Sequence, residues 1–308
     1  MRAPETSPSA STDASAPKPP SPPRPSVLAA APSRIDSFLV HLSRCMQTRA
    51  GAETVLLFAC YATRLTGSLL ETAGGLAIRQ SARRLVALAY KLPPATTVAM
   101  SSPVPRPWLA ALALQLGARF KLLSGLISET RTMARLWGLL GLYGAVKKLV
   151  ARRQQRKGRK EKDGDGDGDD DAEATFDTLV AAAQLAALIV FQAAENVAFL
   201  AGKKVLPVPA ASQARLGLLS VRAWGLYVAM EAARLLVERR RKLSSSTAKE
   251  TEWQARWEKS FYRNLAWAPL TLHWGSSTGG FLPDMAISVL GFYPAVGAMT
   301  DLWKETRW

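Results

Sequence analysis

The stretch IRQSARRLVALAYKL, residues 78–92, decides the reading of this chain. Wound as an α-helix, it gathers Ile78, Ala82, Leu85, Val86, Leu88, Ala89 and Leu92 on one arc and Arg79, Arg83, Arg84 and Lys91 on the other. An apolar arc backed by a cationic one suits a membrane surface: the oily side enters the acyl boundary while the basic side chains meet anionic headgroups. Five large aliphatic side chains are available here, each worth roughly 1.5–3 kcal/mol on full burial, though an interface immerses them only in part. The four basic residues add about 1 kcal/mol each beside an anionic leaflet. Once ordering costs are subtracted, this predicts reversible attachment, strengthened by avidity in an oligomer. The competing reading is an apolar arc that packs against other helices of a soluble bundle.

The rest of the composition favours the membrane. Forty Lys and Arg against 24 Asp and Glu give a net charge of +16 in 308 residues, an excess that seeks an anionic partner. No zinc-finger, RRM or helix-turn-helix signature accompanies it, so the expected partner is anionic phospholipid and not nucleic acid. The basic residues flank or alternate with Leu-, Ala- and Trp-rich stretches, and the nine Trp suit a membrane interface. Cys45 and Cys60 are the only cysteines, without CxxC spacing, which argues against a disulfide framework or a zinc site. Cys60, among Phe58, Ala59 and Tyr61, reads as a small core hydrophobe.

Along the chain, residues 1–33 read as a disordered Pro/Ser-rich tail with no apolar run for a signal peptide and no Arg-rich presequence helix. The C-terminal tripeptide Thr306-Arg307-Trp308 is not the Ser-Lys-Leu matrix signal. Residues 34–150 form an N-terminal helical region, because apolar residues recur at three and four, as in Val55, Phe58, Ala62, Leu65 and Leu69. Gly74 and Gly75 are expected to break that stripe before the basic wedge. Pro93 and Pro94, then Pro103, Pro105 and Pro107, are expected to end the wedge and form a connector. A long helix from about Trp108 to Val150 follows, with a bend expected near Gly117 or Gly125.

Basic residues then give way to an Asp-Gly run, so residues 151–174 read as a disordered basic and acidic loop. The run lacks the Glu that a calcium loop requires. Residues 175–308 read as a C-terminal helical region. Within it Thr178–Ala194 and Met285–Thr300 are uncharged candidates for short membrane segments, the second containing Pro294. Arg215–Arg241 makes a helix interrupted by charge, and Ser244–Ala248 a linker. The predicted fold is therefore all-α: a membrane-associated helical bundle with an amphipathic interfacial helix and one or two short hydrophobic membrane segments.

No catalytic constellation emerges. His41 and His273 are the only histidines and lie far apart, and no nucleotide-binding loop follows a strand, so no enzyme, cofactor or metal is expected. In WGLLGLYGAVKKL, Gly138, Gly141 and Gly144 recur every third residue and clear a strip for close approach of a second helix or protomer. The alternative is that they merely loosen a helix held by tertiary contacts.

Several ordered blocks resemble the peroxin-eleven family of peroxisomal membrane proteins, in its gamma-like fungal branch. LLFACYATRLTGSLLE at 56–71 resembles that family's first helix, and LLSGLISETRTMARLWGLLGLYGAVKKL at 122–149 its central signature. ENVAFLAGKKVLP at 195–207 looks like the segment after the second hydrophobic helix. NLAWAPLTLHW at 264–274 and VLGFYPAVGAMTDLWKE at 289–305 resemble the closing block. The resemblance implies a protein that promotes peroxisome elongation, proliferation and fission by inserting an amphipathic helix, bending the membrane and self-associating. It also implies recruitment of a dynamin-like GTPase through a tail-anchored fission adaptor, and residence in the peroxisomal membrane with both termini cytosolic. Ile78–Leu92 lies where the remodelling helix is expected, shortened here by Pro93 and Pro94. Two other classes compete: a conduit for small anionic metabolites, with Arg131, Arg135 or Arg222 facing a water-filled path, and a soluble helical adaptor.

Overall fold

The computed structural model describes residues 27–91, 93, 108–163, 168–243 and 250–307. Among them the secondary structure is helical, with no strand. The helices are α1 Val27–Cys45, α2 Arg49–Ala89, α3 Trp108–Arg135, α4 Gly138–Asp163, α5 Gly168–Gly202, α6 Ala210–Leu243, α7 Glu250–Gly275 and α8 Asp284–Glu305. The chain divides into two compact units, residues 1–43 and residues 44–308.

The first unit contains most of α1, whose Ile35, Phe38, Leu39 and Val40 are exposed. The helix starts at Val27, inside the segment expected to be a disordered tail, because the Val-Leu-Ala-Ala-Ala run has strong helix propensity. Residues 1–26 of that tail lie outside the described residues.

In the second unit, Thr48 caps α2, its hydroxyl accepting from the Gly51 N–H at 3.0 Å. From there α2 runs 41 residues without interruption. The expected break at Gly74–Gly75 is absent. Gly74 is instead a packing position, since a Cβ there would stand 3.0 Å from the Ala110 carbonyl oxygen on α3. It belongs to a seam of small residues spaced by seven: Cys60, Gly67 and Gly74 on α2 face Ser124, Gly117 and Ala110 on the antiparallel α3. At its centre a Cβ on Gly67 would lie 2.8 Å from the Gly117 carbonyl oxygen. The two backbones therefore approach as closely as helices can, which compensates the roughly 1 kcal/mol that each mid-helix glycine costs in propensity. A second seam joins α2 to α8, where Ser68 Oγ meets Ser288 Oγ at 2.8 Å and Gly291 makes room for the Tyr61 ring.

The predicted long helix 108–150 does break, but between Arg135 and Gly138 and not at Gly117 or Gly125. The carbonyls freed there are satisfied from a distance. Arg49 donates to the Ala134 and Trp137 oxygens, Gln192 to that of Arg135 and Asn196 to that of Leu136. The loop expected over 151–174 is mostly helical: α4 continues to Asp163 and α5 begins at Gly168, leaving 164–167 outside the described residues. Lys, Arg, Gln and Glu extend a helix readily once it is nucleated. Arg156 also ties the two helices, donating to the Ala174 oxygen at 2.6 Å. The linker Ser244–Ala248 and all of the proline connector except Pro93 lie outside the described residues.

The packing order closes on itself: α3 on α2, α2 on α8, α8 on α7, α7 on α6, α6 on α5, and α5 back on α3. Among the described residues three helices are long and apolar enough to cross a membrane: Trp108–Arg135, Glu173–Gly202 and Asp284–Glu305, with mean hydropathies of 1.3, 1.8 and 1.3. Two of them contain the predicted segments 178–194 and 285–300. The first is a third candidate, which the sequence pattern alone did not single out. Pro294 does not split α8, which stays helical from Asp284 to Glu305 with Pro294 buried.

Candidate functional site

The wedge forms the C-terminal end of α2. Arg79, Arg83, Arg84 and Lys91 are all exposed, and none makes an ion pair among the described residues. On the apolar arc Ile78 is half-buried, while Leu85, Val86 and Leu88 are 38%, 54% and 60% exposed. The oily side is thus not sealed inside the protein. The helix ends at Ala89, with Tyr90 as its cap, so Leu92 lies beyond it and outside the described residues. Since the close seam with α3 ends at Gly74 opposite Ala110, residues 75–89 continue for about 22 Å beyond it.

The three glycines of α4 behave differently from one another. Gly138 lies against the Gln192 side chain, and a Cβ there would come within 2.6 Å of its oxygen. Gly141 and Gly144 have nothing within 4 Å of where a Cβ would stand, so among the described residues no other helix closes on that strip. The glycines that do bring helices together, Gly67, Gly74 and Gly117, were legible only as the spacing of seven they share with Cys60, Ala110 and Ser124.

Between the helices of the ring lies a cleft of about 970 Å³, lined from α2, α3, α5, α6 and α7 and not foreseen from the sequence. One wall is aromatic. Tyr61 meets Trp267 edge-on at 5.7 Å, Trp267 contacts Trp224 at 5.3 Å, and Trp224 stacks on Trp274 at 6.2 Å. The charged lining comes largely from α3, whose Lys121, Ser124, Ser128, Arg131 and Arg135 recur at three and four. Arg135 grips Glu195 with two hydrogen bonds of 2.8 and 2.7 Å, and Arg131 donates to Glu53 at 2.8 Å. Arg64 reaches Asp284 at 2.5 Å, and Lys121 joins both Asp284 and Glu71. Of the three arginines named for a conduit, Arg131 and Arg135 line this cleft. Arg222 does not, and its Nε instead donates to the Gly275 oxygen at the end of α7.

The Arg64 Nε is buried without a hydrogen-bond partner, and Arg64 lines the cleft. Burial pushes the Tyr61 hydroxyl up to about 12, against the opposing influence of Arg131, so it stays protonated and neutral at physiological pH. His273 acts locally and structurally, its Nδ1 accepting the Leu282 N–H at 2.8 Å and fixing the turn between α7 and α8. Among the described residues no group of His, Cys, Asp and Glu could hold a metal. No family model, curated protein or solved structure matches the chain.

Proposed function

We propose that this chain is a peroxisomal membrane protein of the peroxin-eleven type, which elongates the organelle and promotes its proliferation and fission without catalysing a reaction. The observation that carries the reading is the end of α2: an exposed apolar arc backed by four exposed cations without an ion pair among the described residues, where three helices are membrane-capable. Inserted shallowly into one leaflet, such a helix expands that leaflet and bends the bilayer. The uncovered strip at Gly141 and Gly144 supports contact between copies of the chain, which would concentrate wedges on one membrane. In this reading a tail-anchored adaptor and a dynamin-like GTPase act on the tubule, and both termini face the cytosol.

The test is charge reversal. Changing Arg79, Arg83, Arg84 and Lys91 together to Glu should leave helicity intact and abolish binding to anionic vesicles and elongation of peroxisomes. Unchanged binding would remove the mechanism. Protease protection of tagged termini checks the topology. The conduit reading for small anionic metabolites is favoured by one observation, that Arg131 and Arg135 line the cleft. Solute flux through reconstituted liposomes tests it.

A further inference from the structure

The most apolar of the membrane-capable helices is packed against one that a bilayer excludes. Between Asp177 and Glu195, α5 runs 17 residues without a charge, about 25 Å of helix and close to the thickness of a hydrocarbon core. Leu179, Ala182, Ala183, Ala186 and Val190 recur on it at three and four and are all exposed, a single apolar stripe. Only 6% of the most apolar window of this helix is buried, so among the described residues the stripe has no protein cover.

Helix α4 runs back along α5 in the opposite direction. Gly138 sets one end of the pair against the Gln192 side chain, and Arg156 sets the other, donating to the Ala174 oxygen at 2.6 Å and to the Thr178 hydroxyl at 3.3 Å. Equal rise along both helices puts Lys147 and Lys148 beside the middle of the uncharged stretch, and Arg152 and Arg153 near its Asp177 end. All four are exposed, and none makes an ion pair among the described residues. The Lys147 amine lies over the Tyr143 ring, 5.8 Å from its centre, and so points back along α4, away from the Asp177 end.

Chain continuity turns this into a constraint. Arg135 is bonded to Glu195, and Gln192 and Asn196 to the Arg135 and Leu136 oxygens, so α4 starts at the Glu195 end of α5 and returns the chain to the Asp177 end. If α5 crossed a bilayer, α4 would have to cross beside it. Cations inside a bilayer pair with one another's counter-charges or face a protein interior or watery cavity, and these four do neither. We infer that α5 does not cross: the α4–α5 hairpin lies along one side of the membrane, its α5 stripe in the acyl boundary and its cations at headgroup level. From Lys147 to Asp177 the sequence holds nine basic and nine acidic residues, so the hairpin is electrically balanced. Recruitment to anionic lipid therefore stays with the end of α2. The inference rests on membrane association, as proposed above, and not on the wedge bending the bilayer.

Sidedness in the full chain tests it. The native Cys45 and Cys60 are buried, so a single cysteine can be added at an exposed position: Gly158→Cys near the end of α4, Val205→Cys after α5, or Ala186→Cys on the stripe. Sealed membrane vesicles from cells expressing each variant are treated with a membrane-impermeant maleimide before and after permeabilisation with detergent. The cysteines at the two end positions should react alike, both before permeabilisation or both only after it. A nitrobenzoxadiazole label on Ala186→Cys should be quenched at least about twofold more by lipid spin-labelled high on the acyl chain than by lipid labelled at the chain end, as a shallow seat requires. Opposite reactivity of the two end positions, stronger quenching from the chain end, or no quenching by either lipid would each overturn the inference. Any of these beside wedge-dependent vesicle binding leaves the remodelling reading standing, whereas absence of the wild-type chain from the vesicle fraction overturns both.

Discussion

Replacing Leu85 and Leu88 by Asp should detach the end of α2 from anionic membranes. Leu85 is 38% and Leu88 60% exposed, so together they offer about one full leucine side chain of accessible surface, worth roughly 1.5–3 kcal/mol on immersion. The substitutions forfeit that gain. They also set two carboxylates beside anionic headgroups at about 1 kcal/mol each, the reverse of what each basic residue contributes. The expected loss is about 3–5 kcal/mol, a fall of more than about a hundredfold in partitioning. A synthetic peptide covering residues 75–92 isolates the effect. A helix of that length is marginal in water, so its circular dichroism turns helical only on binding phosphatidylserine vesicles, and titration with lipid gives the affinity. The peptide keeps Arg79, Arg83, Arg84 and Lys91, so neutral vesicles separate their contribution from that of the apolar arc. If the Asp variant binds anionic vesicles within about threefold of the parent, immersion of the apolar arc is not what holds the helix.

Gly67→Leu should lower the melting temperature of the detergent-solubilised protein, because its Cβ would press on the Gly117 carbonyl at 2.8 Å and overpacking of this kind costs about 1–3 kcal/mol. Gly75→Ala meets no neighbour and strengthens α2 by about 1 kcal/mol, so stability should rise while vesicle tubulation falls if the helix must bend there to lie in the leaflet. Burial opposes ionisation of Glu231, but hydrogen bonds from Arg234 and Gln184 outweigh it and hold the carboxyl below its usual range. Its stabilisation is therefore present above the unfolded value of about 4.3 and lost as pH falls through the lower folded one, and melting curves for Glu231→Gln should show a shallower acid limb than wild type. Glu53→Gln leaves Arg131, whose side chain is 14% exposed, without its carboxylate. Thermal melts should show it destabilised by about 1–3 kcal/mol and partly rescued in Glu53→Gln with Arg131→Gln.

The helical class was legible because apolar residues recur at three and four over most of the chain, a signal that needs no tertiary information. What misled was punctuation. Gly74–Gly75 looks like a stop, but its local cost is offset by contact with Ala110 and Leu114 some forty residues away, which no window around the glycines contains. The real interruption at Leu136–Trp137 is held by Arg49, Gln192 and Asn196, all remote in sequence. The acidic and basic run looked like a loop because it cannot build a core, yet a helix extended from a packed end needs no core of its own. The amphipathic, exposed character of residues 78–89 was legible, being local. The cleft was not, because its aromatic wall is assembled from α2, α6 and α7. Its one readable trace is the polar row Lys121, Ser124, Ser128, Arg131 and Arg135 on a helix otherwise apolar enough to span a bilayer.

Helix α2 ties the two sites together. It is not among the membrane-capable helices, yet it packs along α3 and α8, which are. Its charged side chains that face them are neutralised across the seam: Glu53 by Arg131, Arg64 by Asp284, and Glu71 by Lys121. Pairing of this kind is what lets charged side chains sit between membrane-capable helices. Beyond Gly74 the pairing stops, and Arg79, Arg83, Arg84 and Lys91 stand exposed without partners. One helix therefore changes character where its close contact with α3 ends. Its first part is compatible with a protein-lined interior, and its last part presents four exposed cations. If α3 crosses the membrane, a rigid α2 would carry the wedge away from the surface along the bilayer normal, whereas a bend at Gly74–Gly75 lays it in the headgroup plane. Gly75, with open space around it, is the residue at which that bend costs least.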